Sequence, residues 1–245
     1  MATDPNGVLI PVDVSSPVDL NLSALEILAP GRVVILGYWP VPDQATPAQL
    51  RDQHKDTAQE RVDALADRLA DRTFAVTSRL VFTLDRDDSI DRAANEYGAA
   101  AILTPGDGIV TGSAAQRVLV LLKPDLNIDR ILSVLGHHLS ENDLQVTLFH
   151  AAEEQAEAME YMLRGAADQL SDLGVASDRI DWTVETDGSR VNTILSTAPT
   201  YDLVVLGETQ PSVRERVFGV VQSSLLDQTD RPVMTIRPSD RSADV

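Results

Sequence analysis

The chain has 245 residues, 43% of them hydrophobic, which at about 100–150 residues per domain suggests two small domains or one large α/β unit. Its 38 acids against 20 bases give a net charge of −18, and such a surface repels the phosphates of DNA, RNA and anionic lipid. Cysteine is absent, which excludes disulfides, thiol catalysis and cysteine metal sites.

In chain order, short β-branched runs alternate with longer helical stretches. Val8–Val12 (VLIPV) reads as a strand and Ser23–Leu28 as a short helix. Arg32–Tyr38 (RVVILGY) is a buried strand closed by Pro40 and Pro42. Pro47–Asp71 predicts a long helix, because Leu50, Val62, Leu65 and Leu69 recur at helical spacing and Pro47 suits a first turn. Phe74–Leu84 is a strand and Asp88–Tyr97 a helix, with Asp88 as its cap and Gly98 where a C-cap wants glycine. Ala100–Leu103 is the next strand. The pattern then resumes with strand Val118–Leu122, helix Ile128–Leu139, strand Leu144–His150 and helix Glu153–Leu173, which Gly174 stops. Strand Ile180–Glu185, helix Val191–Thr197, strand Leu203–Leu206, helix Arg214–Leu226 and strand Pro232–Ile236 complete it.

Such alternation implies parallel strands covered by helices on both faces. The element order also occurs twice. Val8–Asp13 resembles Val118–Lys123, and the tripeptide DLN follows each, at Asp19–Asn21 and Asp125–Asn127. A period of roughly 110 residues is a domain duplication and not a solenoid repeat. The expected domains are 1–115, shortened at its C-terminal end, and 116–238, with a polar tail at 239–245. The boundary falls near Ser113–Gln116.

Several phrases resemble the universal stress protein family. VLIPVDVS is similar to the opening of its domain, LQVTLFHAAEE to its second strand, and YDLVVLGE and RPVMTIRP to its fourth and last strands. The resemblance spans nearly the whole chain as a tandem pair. It implies two flavodoxin-like open parallel-sheet domains packed as a pseudo-dimer. It also implies a regulatory or stress-response role, with dimerisation common. Pro11 stands in a strand that the family places centrally, where a missing N–H is unwelcome.

The family's ATP site uses an Asp after the first strand and a loop, Gly-x2-Gly-x9-Gly-Ser/Thr, whose backbone N–H groups meet the phosphates. On this pattern the second domain is degenerate. Lys123 stands in place of the Asp, and the loop from Gly207 has Gln210 for its second glycine. Eight residues separate Gln210 from Gly219, Val220 replaces the Ser/Thr, and Glu208 brings negative charge. Arg214 and Arg216 read either as attractors of an anion or as solvated helix residues. The first domain keeps Asp13 and has the short stretch Gly106, Gly108, Gly112 and Ser113, which reads either as a nucleotide loop or as a linker. Asp13 itself reads either as an adenine partner or as a helix cap or turn residue. ATP is thus the one candidate cofactor.

His137 and His138 are adjacent on a helix and point about 100° apart, so with Glu141 they do not make a metal site. His150 reads as structural, and the turn Asp85, Asp87, Asp88 as a cap. No nucleophile elbow and no Walker loop occur. No apolar run approaches a membrane span, and the start (MATDPNGV) lacks a basic leader, so a cytoplasmic location is expected. Only Lys55 and Lys123 are lysines, and aspartate dominates the acids, which suits a salt-rich cytoplasm and suggests a halophilic source. With the resemblance, the sequence therefore reads as a non-catalytic stress regulator without nucleic-acid or membrane partners, the alternatives being an ATP-binding regulator that uses the first domain and an ATP hydrolase or phosphotransferase. Its expected partners are itself, as pseudo-dimer or homodimer, and a protein that the sequence does not identify.

Overall fold

In a computed structural model, the structure describes residues 6–17, 31–70, 75–106, 117–124, 127–140, 142–151, 156–186, 189–208 and 228–238. The predicted helices Ser23–Leu28 and Arg214–Leu226 and the tail at 239–245 lie outside the described residues. The chain divides into two compact units, one ending at Pro105 and the other running on from Gly106.

Unit 1 contains β1 (Val8–Asp13), β2 (Arg32–Pro40), α1 (Pro47–Ala70), β3 (Ala75–Thr83), α2 (Arg86–Tyr97) and β4 (Ala101–Thr104). Its strands are parallel, in the order β3-β2-β1-β4. One face packs on α1, whose buried stripe is Ala58, Val62, Leu65 and Leu69; Leu50, read from the sequence as part of it, is only half-buried. The Val62 side chain of α1 packs so close to β2 at Gly37 that a Cβ there would meet Val62 Cγ2 at 2.3 Å. The other face packs Leu9, Val34, Leu36 and Ile102 against Ile90, Ala93 and Ala94 of α2. Asp85, not Asp88, caps α2: its side chain accepts from the Asp88 N–H at 2.9 Å. Asp85 wins because Thr83 Oγ1 receives its backbone N–H and fixes the turn one step earlier. Gly98 closes the helix in the left-handed region, at φ 59°.

Unit 2 contains β5 (Arg117–Leu121), α3 (Ile128–Leu139), β6 (Gln145–Ala151), α4 (Ala156–Asp172), β7 (Ile180–Glu185), α5 (Arg190–Thr197), β8 (Leu203–Gly207) and β9 (Val233–Ile236). Its order is β9-β8-β5-β6-β7, again parallel. Leu119, Phe149, Val204 and Val233 pack with Ile194, Ala198 and Tyr201 on one face. Ile131, Leu132, Leu135 and Leu139 of α3 and Leu163, Ala166 and Leu170 of α4 are also buried. The strands β3 and β7, expected to be covered on both faces, are sheet edges and partly exposed. Among the described residues unit 2 has a fifth strand, β9, that unit 1 does not.

Pro11 is accommodated by register. Backbone groups of successive residues in a parallel strand face alternate neighbours. The Gly7 carbonyl accepts from Ala100 and Ala101 beside β4, whereas the Val14 N–H donates to Tyr38 of β2. Pro11 shares its parity with Gly7, so its missing N–H faces β4. There the ladder stops: β1 and β4 pair only at Val8↔Ala101 and Leu9↔Ile102. In unit 2 the corresponding β5–β8 ladder continues from Val118↔Leu203 to Leu121↔Leu206.

Candidate functional site

In an open parallel sheet the crevice lies beyond the carboxyl ends of the strands, where the strand order reverses. In unit 1 that point is between β1 and β4. The early end of their ladder leaves the last four residues of β1, Ile10–Asp13, paired with β2 alone among the described residues. Asp13 terminates β1 and is exposed. Its Oδ1 accepts from the Ser15 N–H at 2.8 Å, which makes it a turn residue, one of the two roles its position predicts. Only Oδ1 is used in that turn.

Two further bonds fix the backbone after Asp13. The Val14 N–H donates to the Tyr38 carbonyl at 3.0 Å. Arg61 Nη1, from α1, donates to the Val14 carbonyl at 2.6 Å. The carboxyl ends of β2 and β3 carry aromatic and cationic contacts. Arg86 lies over the Tyr38 ring, 5.5 Å from its centroid. On the α1 side Trp39 stacks on His54 at 4.5 Å and neighbours Phe82 at 5.9 Å, and Arg51 lies over Phe82 at 5.9 Å. These contacts hold the first turns of α1 against the carboxyl ends of β2 and β3.

The glycines predicted for phosphate contact divide. Gly108, Gly112 and Ser113 lie outside the described residues, as do Gly219 and the arginines Arg214 and Arg216. Gly106 is described, and it packs on unit 2 backbone. A Cβ there would fall 2.2 Å from the Asp230 carbonyl oxygen and 2.5 Å from the Arg231 carbonyl carbon. Glycine at 106 thus has a close-approach reason that needs no ligand.

In unit 2 Lys123 follows β5 and is exposed. The register of β5 on β8 puts it in the place that Asp13 has in unit 1. Gly207 ends β8, and a Cβ there would press on Ile131 Cδ1 of α3 at 2.8 Å. Glu208 follows. Its N–H donates to the Ile236 carbonyl at 2.7 Å, and its carbonyl accepts from Asn127 Nδ2 at 2.9 Å. Its carboxylate lies 3.3 Å from Arg237 Nε, with the two side chains only 18% and 16% exposed. An acid that the sequence reads as hostile to phosphate is therefore an internal partner of the arginine after β9. In the first turn of α3, burial holds the Arg130 guanidinium below its usual pKa.

His150 is buried, with Nδ1 2.6 Å from the Leu122 carbonyl, and ties the ends of β5 and β6 together. His137 is exposed and His138 buried; their rings meet edge-on with centroids 5.0 Å apart. Among the described residues no cluster of three or more metal-ligating side chains occurs, and no helix is long and apolar enough to cross a membrane. Sequence reasoning missed Arg61 and Arg237. The only local signal for Arg61 is its place beside buried Val62 on α1; Arg237 has none, since its partner lies on another strand.

No protein-family model and no curated protein matches the chain. Its structural neighbours include universal stress proteins. A universal stress protein from Archaeoglobus fulgidus matches 97% of this chain and 98% of its own, at 16% identity and a TM-score of 0.69. A protein of unknown function from Pseudomonas aeruginosa matches 96% and 93%, at 14% identity and 0.56. The cytoplasmic domain of a prokaryotic cation chloride cotransporter matches 94% of each chain, at 13% identity and 0.53. At these identities the likeness is one of fold.

Proposed function

We propose that the chain is a universal-stress-type regulatory protein that acts in a stress response by binding and not by catalysis, with a degenerate nucleotide site in unit 2. Lys123, which follows β5 where Asp13 ends β1, carries this reading. A cation there, in place of the acid, offers an adenine amino group no acceptor, and Glu208 beyond β8 is engaged with Arg237. An ATP hydrolase or phosphotransferase is disfavoured, because no lysine cradle, general base or metal carboxylate is placed for phosphoryl transfer among the residues described.

A second reading gives unit 1 an adenine nucleotide such as ATP. It is favoured by the early end of the β1–β4 ladder and by Asp13, whose exposed carboxylate can accept from an adenine amino group. In both readings the protein is cytoplasmic and halophilic, and works with itself or another protein as partner.

Calorimetric titration of ATP at molar KCl, with an assay for released phosphate, tests both. If unit 1 binds, Asp13→Ala weakens ATP at least about tenfold, the scale of a lost charged hydrogen bond, and Lys123→Ala does not. Absence of binding leaves the first reading alone. Phosphate release proportional to protein overturns the non-catalytic reading. Binding that survives Asp13→Ala and fails on Gly207→Ala places the working site in unit 2.

A further inference from the structure

Arg61 lies far from Asp13 in sequence, yet it reaches the turn that carries Asp13. Its Nη1 donates to the Val14 carbonyl at 2.6 Å, and Arg61 is half-buried on α1. A guanidinium N–H to a carbonyl is a charge-assisted bond, stronger than its neutral counterparts. Val14 is itself wholly buried, and its N–H is held by Tyr38. The peptide groups on both sides of Val14 are therefore tied, one to β2 and one to α1. Asp13 Oδ1 and the Ser15 N–H close the turn between them.

We propose that Arg61 is the positioning residue of the unit 1 nucleotide site. It holds the Asp13–Ser15 turn in the geometry that keeps Oδ1 occupied by Ser15 and presents the rest of the carboxylate at the crevice. This rests on the reading of unit 1 as an adenine-nucleotide site. A recognition group on a loop must be held within a fraction of an ångström, and here a helix does so. The device links α1 to the site: the same helix presses Arg51 and His54 on Phe82 and Trp39 and stacks Val62 against Gly37. The carboxylate meets the ligand, and the arginine holds the Val14 carbonyl.

The test uses the full chain at molar KCl with ATP as probe. Arg61→Gln is expected to weaken ATP about tenfold, the lower end of what losing a charge-assisted hydrogen bond produces. Arg61→Lys, which restores a charged donor, is expected to recover most of it. A merely structural arginine would lower the melting temperature and leave the affinity of the folded protein unchanged; that outcome overturns the proposal. Amide exchange without nucleotide provides the second reading. In Arg61→Gln the Ser15 N–H is expected to exchange at least about tenfold faster, while Leu9 and Leu36 in the adjoining strands keep their protection. Unchanged Ser15 exchange means that Arg61 does not hold the turn, and overturns the proposal even if ATP binds. If the wild type does not bind ATP but Ser15 exchange accelerates, the nucleotide reading has failed and takes the positioning role with it, while the turn lock stands.

Discussion

Trp39 and His54 lie ring on ring, with centroids 4.5 Å apart and 11° between their planes. Trp39 comes from the end of β2 and His54 from α1, so the pair fastens the start of the helix to the carboxyl end of the sheet. Stacked aromatic pairs contribute about 0.5–1.5 kcal/mol beyond their buried area. His54→Ala is expected to lower the unfolding free energy by about 1 kcal/mol, read by urea denaturation. In a Trp182→Phe background, which leaves Trp39 as the only tryptophan, the same substitution should change the native fluorescence. An unchanged spectrum would mean that the rings do not meet.

Glycine substitutions should separate packing from flexibility. Gly106→Ala puts a Cβ 2.2 Å from the Asp230 carbonyl oxygen, and backbone cannot rotate away, so a loss of about 1–3 kcal/mol is expected from overpacking. Gly165→Ala, at an exposed position of α4 with nothing within 4 Å of the added Cβ, should stabilise by up to about 1 kcal/mol through helix propensity. Thermal melts of the two variants check both signs together. A neutral Gly106→Ala would return residue 106 to the role of a linker.

Breaking the Glu208–Arg237 pair should matter more than a surface ion pair and less than a fully buried one, because both side chains are under a fifth exposed. Glu208→Gln is expected to cost about 1–3 kcal/mol. A double-mutant cycle with Arg237→Gln measures the coupling directly, and a coupling near zero removes the pair as an energetic feature.

The charge of −18 predicts a salt response. Repulsion among carboxylates is screened as the Debye length falls from about 10 Å in 0.1 M salt to about 3 Å in 1 M. If the acidity is a halophilic adaptation, the melting temperature should climb steeply from dilute buffer to molar KCl. A flat profile would leave the composition without that explanation.

Local order was readable from the chain because apolar periodicity is a local signal. Arg32–Tyr38 and Leu203–Leu206 could only be buried strands, and Gly98 sits in the left-handed cap that its position demands. Features set by neighbours distant in the chain were not readable. Nothing in AVTSRLVFT tells that β3 is an edge until β2 is known to lie on one side of it. Three aspartates near the start of α2 are chemically equal cap candidates, and Thr83 decides for Asp85. The Arg61–Val14 and Glu208–Arg237 partnerships join separate elements, and a single sequence carries no record of such pairs. Asp13 stands out in the sequence at the end of β1, but that its Oδ1 closes a turn on Ser15 needed coordinates.

The proline in β1 has a mechanical consequence. A sheet opens most cheaply along its least hydrogen-bonded seam. In unit 1 that seam is β1–β4, stitched only at Val8 and Leu9, whereas β1 and β2 are in register from Val8 to Asp13. Pulling or local melting should part unit 1 there first, with β1, β2 and β3 moving as one plank and β4 as another. Any molecule that bridges the seam would act as a rivet. Its presence would register as slowed exchange along Ala101–Thr104, even where the temperature of global unfolding hardly moves.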